Sequence, residues 1–60
     1  MNRIYITFKT LEDTNAAMEA LGHRVLFTYG SSVTEISIAP SDRREAAEIL
    51  KEHGIKYSMR

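Results

Sequence analysis

The chain has no cysteine, no tryptophan, one proline and three glycines in 60 residues. Without cysteine there is no disulfide to staple a short chain, no thiolate nucleophile and no zinc site of the cysteine type, and the absence fits a reducing compartment. Long apolar runs are also missing. None is longer than a run such as Val25-Leu26-Phe27, far below the ~20 residues that span a bilayer as a helix. A strand pattern starts at about Asn2, leaving no room for the charged and apolar regions of a secretory leader. The expectation is a soluble cytoplasmic protein with no membrane partner. Nor is there an excess of either charge. Eight basic residues balance eight acidic ones, so net charge directs the chain neither to nucleic acid nor to an acidic partner. Residues 1–60 form a single domain near the size limit for an unstapled core, because so short a chain buries only about 60% of the surface its unfolded form exposes.

What is present is periodicity. In Arg3 to Lys9, Ile4, Ile6 and Phe8 alternate with Arg3, Tyr5, Thr7 and Lys9, the signature of a half-buried strand. Thr10 then offers a capping hydroxyl, and Glu12 and Asp13 place acids in the first turn of a helix. Leu11, Thr14, Met18 and Leu21, with Ala17 beside them, form its apolar stripe, and Gly22 stops it. Val25, Phe27 and Tyr29 alternate with Arg24, Leu26 and Thr28, and Gly30-Ser31-Ser32 can reverse the chain into a hairpin. The return strand sets Thr34, Ile36 and Ile38 against Val33, Glu35 and Ser37. Pro40 and Ser41 open a second helix lined by Ala46, Ile49, Leu50 and His53, and Gly54 closes it. A last strand alternates Ile55, Tyr57 and Met59 with Lys56, Ser58 and Arg60.

The halves match at an offset of about 30 residues, on the order of one βαβ-type unit. Ile6 falls on Ile36, Phe8 on Ile38, Ala16-Ala17 on Ala46-Ala47, Val25 on Ile55, Phe27 on Tyr57 and Tyr29 on Met59. Amphipathic units of equal length share such positions with or without a common origin, and the architecture follows either way. Two right-handed units with interleaved strands predict an α+β, ferredoxin-like βαββαβ sandwich, with an antiparallel sheet in the order 4-1-3-2 and both helices on one face. The predicted core is Ile6, Phe8, Met18, Leu21, Phe27, Ile36, Ile38, Ile49, Leu50 and Tyr57.

That fold would send Arg3, Lys9, Arg24, Lys56 and Arg60 to the open sheet face with one acid, Glu35. The other acids would lie on the helices. A basic face is the pattern of a nucleic-acid surface, but strands also carry cations to deter edge pairing, and helices carry Glu because it forms helices well. Ile4-Tyr5-Ile6 resembles the start of the first RNA-contact motif of RNA-recognition motif domains, which share this topology and stack bases on aromatics of two central strands. The resemblance implies a second motif with aromatics on the third strand, where this chain has Glu35 and Ser37.

Other constellations are structural. His23 and His53 occupy equivalent places in the two halves, but antiparallel helices put their C-terminal ends at opposite ends of the molecule, which excludes a shared metal. Ser31 and Ser32 have no base nearby in sequence. Asp42, Glu45 and Glu48 form a solvated helix face, with Arg44 spaced to pair Glu48. The glycine-rich phosphate loop and arginine of acylphosphatases, which share the topology, have no counterpart. Neither catalytic nor cofactor-binding nor metal-binding residues are expected. Finally, Ile6-Thr7-Phe8, Ser31-Ser32-Val33-Thr34 and Glu52-His53-Gly54-Ile55-Lys56-Tyr57 resemble the small selenium/sulfur carrier-like proteins. Thr34 stands where that family has a cysteine, so the resemblance implies the fold without the carrier chemistry.

The functional expectation is a non-catalytic binding or regulatory module that associates with protein, as a homodimer or on a larger target. The contact would use the open sheet face or the edge strand from Arg24 to Tyr29. Tyr5, Leu26 and Val33 would form its apolar centre, rimmed by Arg3, Lys9, Arg24, Lys56 and Arg60. The alternative is single-stranded nucleic acid on the same face.

Overall fold

The computed structural model describes residues 3–29 and 34–60. The expected turn at Gly30-Ser31-Ser32 and the candidate residue Val33 lie outside them. Eight elements follow in the order β1 (Ile4–Thr7), α1 (Leu11–Leu21), a 3-10 turn (Gly22–Arg24), β2 (Val25–Tyr29), β3 (Glu35–Ile38), a 3-10 turn (Pro40–Asp42), α2 (Arg43–Glu52) and β4 (Ser58–Met59). The strands make one antiparallel sheet in the order β2-β3-β1-β4, which is the expected order read from the other edge. The protein is therefore α+β with an open four-stranded sheet, an arrangement compatible with the ferredoxin-like sandwich.

Local chemistry sets the helix ends. Thr10 is extended, and its hydroxyl accepts the Asp13 N–H at 3.0 Å, capping α1. Thr14 is fully buried one turn on, its hydroxyl donating to the Thr10 carbonyl at 2.9 Å. At the end of α2, Gly54 adopts φ +68°, its N–H bonds to the Lys51 carbonyl, and the Ile55 N–H bonds to the Leu50 carbonyl. This is a Schellman closure, and only glycine adopts its left-handed residue without strain.

Pairing of Ile4 with Ile38 and of Ile6 with Ile36 gathers the isoleucines on one face of the sheet. Ala17 and Leu21 of α1 and Ala46 and Leu50 of α2 complete one fully buried cluster with Ile6, Ile36 and Ile38, and Phe8 closes its end. Both helices thus cover the same face. Each large buried aliphatic side chain contributes about 1.5–3 kcal/mol.

Four of the expected core residues sit elsewhere. Met18 and Ile49 are half-buried at the margin of the cluster. Phe27 is 56% exposed and Tyr57 is 37% exposed. The cause for Phe27 is a β-bulge: Val25 pairs with Ile38, but Phe27 pairs with Ser37, so two steps along β2 meet one step along β3. Beyond the bulge the alternation is inverted, and Phe27 shares the open face with Ser37 and Tyr5. For Tyr57, the cause is that β4 is shorter than expected. Ladder pairing with β1 begins only at Ser58, so residues 55–57 are not held by the sheet and Tyr57 stays at its rim. Leu11, in the first turn of α1, is also exposed, as is His53, the C-cap of α2.

Candidate functional site

On the open face the strands align two polar rows. Phe27, Ser37 and Tyr5 lie side by side in register, and Tyr5 exchanges both backbone hydrogen bonds with Arg60 at 2.8 Å. In the next row Glu35 lies between Tyr29 and Thr7, with Ser58 beyond. Arg3 reaches across the sheet, its guanidinium carbon 5.0 Å from the centroid of the Phe27 ring, a cation–π distance. Ser37, in register between Tyr5 and Phe27 on the open face, is fully buried.

The charges differ from the sequence expectation. Arg24 is turned away from the open face. It ends the 3-10 turn after α1, where its Nε donates to Glu45 Oε1 of α2 at 2.6 Å and its Nη1 donates to the Leu21 carbonyl at 3.3 Å. The Glu45 hydrogen bond raises the Arg24 pKa, and the same bond holds the Glu45 carboxyl below its ordinary value. Arg60 stays on the open face but bonds Glu35 at 2.7 Å, so the lone acid of that face cancels one of its cations. Arg44 and Glu48 make no ion pair among the described residues.

Of the expected contact residues, Tyr5 is half-buried, Arg3 and Arg60 are exposed on the open face, and Leu26 is exposed at the bulge. Lys9 and Lys56 line one cleft with Thr7, Tyr57 and Ser58. The structure therefore brings Arg3, Tyr5 and Arg60 into one neighbourhood, turns Arg24 away from it and gathers the two lysines at Tyr57. Phe27 belongs to this face, although simple alternation along β2 places it in the core. Its strand carries no sequence signal for the bulge.

Among the described residues there is no group of three or more histidines, aspartates or glutamates that could hold a metal ion, and no helix is long and apolar enough to cross a membrane. No protein-family model, no curated protein and no solved structure matches the chain.

Proposed function

We propose that this protein is a small non-catalytic binding module of ferredoxin-like fold that associates with protein, a second copy or a larger target, through edge strand β2 and the adjoining open face. The observation that carries the reading is the exposure of Leu26 and Phe27, 48% and 56%, side by side on a strand with a neighbour on one side only. Adjacent large apolar side chains on an edge supply both the apolar anchor and the free backbone groups that strand addition uses. The bulge at Leu26 interrupts that edge, so Phe27 to Tyr29 is the stretch able to pair with an added strand.

Nucleic acid on the open face is disfavoured. Arg24 has left that face, Glu35 neutralises Arg60, and the Phe27 ring carries Arg3 where a base would have to stack. Glu35 and Ser37 also hold the third-strand positions that RNA-recognition motifs fill with aromatics.

Leu26→Glu tests the reading, since Leu26 is exposed and outside the buried core. Sedimentation velocity and pull-down from the host lysate, each with parent and variant, should show association by the parent alone. Both should melt alike. An identical sedimentation profile together with an identical captured set would exclude the β2 edge.

A further inference from the structure

The edge opposite β2 has a different character. Three open clefts meet at Tyr57. The first, between the start of α2 and β4, is lined by Ser41, Arg43, Arg44, Ala47, Tyr57 and Met59, with Pro40 at its end. The other two share Tyr57 with it and are lined by Lys9, Lys51 and Lys56. Five of the eight basic residues of the chain therefore surround one exposed tyrosine. No acidic side chain lines any of the three clefts, and none of the five cations has an ion-pair partner among the described residues.

The arrangement of α2 produces this separation. Arg43, Ala47 and Lys51 recur every fourth residue and line the clefts at Tyr57, whereas Glu45 and Glu52 lie on the opposite side of the helix from Arg43 and Glu48 lines none of the clefts. Arg43 and Arg44 also occupy the first two positions of α2, where the helix dipole favours acids and disfavours cations.

We infer that this α2–β4 edge binds a single strand of nucleic acid, with the Tyr57 ring stacking on a base and the phosphates of the strand held by Arg43, Arg44, Lys9, Lys51 and Lys56. The combination selects the ligand: a strand offers a base to stack on the ring and successive phosphates for the cations of three clefts, whereas a mononucleotide carries its phosphate at one place only. The site is independent of the β2 edge, which lies at the other end of the strand order.

The test is fluorescence anisotropy with a labelled uridine decamer, across a salt series. Affinity should fall with salt by about 0.7 log unit per log unit for each phosphate neutralised, so the combined Arg43→Ala, Arg44→Ala, Lys51→Ala variant should flatten the slope by about 2. Tyr57→Ala should weaken binding about tenfold and Tyr57→Phe should retain it. Leu26→Glu should bind as the parent does, which separates this site from the β2 edge. The variants alter exposed residues, and unchanged melting curves will establish that they fold. No binding at low salt, a slope unchanged in the triple variant, or equal displacement of the decamer by polyglutamate would overturn the assignment, the last by showing an acidic polypeptide to be as good an occupant.

Discussion

Phe27 lies opposite Ser37 across the β2–β3 ladder, one residue out of phase with the pairing of Val25 and Ile38. That single offset moves an aromatic ring from the helix-covered face to the open one. There it lies in register beside Ser37, which is fully buried, and the Arg3 guanidinium sits over it. The core consequently rests on Phe8, the only other phenylalanine of the chain.

The two phenylalanines should respond oppositely to truncation. Phe8→Ala removes a ring from the end of the buried cluster and is expected to cost about 3–5 kcal/mol, enough to unfold much of a domain this small. Phe27→Ala removes an exposed ring and should cost well under half of that. Urea denaturation of both variants measures the difference. Equal losses would place Phe27 in the core and remove the bulge.

Stability should depend on the ionisation of Glu45. Its carboxyl is held below the ordinary glutamate value by the Arg24 hydrogen bond, so the folded state binds this proton less readily than the unfolded one. The contribution is therefore complete above the ordinary glutamate range and is lost as pH falls through the depressed value. Both partners are solvent-accessible, so the effect is small and is screened by salt. Thermal melts of parent and Glu45→Gln should differ at neutral pH and converge as the solution is acidified. A difference that widens toward acid would contradict the pairing.

Gly54→Ala isolates a backbone effect. A Cβ there meets no atom within 4 Å, but φ is +68°, so the substitution should cost about 1–2 kcal/mol through strain alone. Gly54→Asn should recover part of it, because asparagine tolerates the left-handed region better. Denaturant midpoints of the three chains settle the order, and an alanine variant as stable as the parent would argue against the Schellman closure.

Much of this molecule is set by local sequence. The alternation of Ile4, Ile6 and Phe8, the Thr10 cap, the stops at Gly22 and Gly54 and the small buried Ala17 and Ala46 each act within a few residues, so element order, helix ends and the centre of the core can be read without coordinates. The two edge strands could not be. Phe27 and Tyr57, equivalent positions of the two half-repeats, both match the core by alternation and both emerge exposed. A bulge inverts parity in one, and late pairing releases the other. An edge strand is held by a ladder on one side only, so a register shift there meets less resistance than it would between two neighbours. Charge partners were equally out of reach, since Arg24 with Glu45 and Arg60 with Glu35 are separated by 21 and 25 residues. Such pairs exist only once the sheet has closed and the helices have docked.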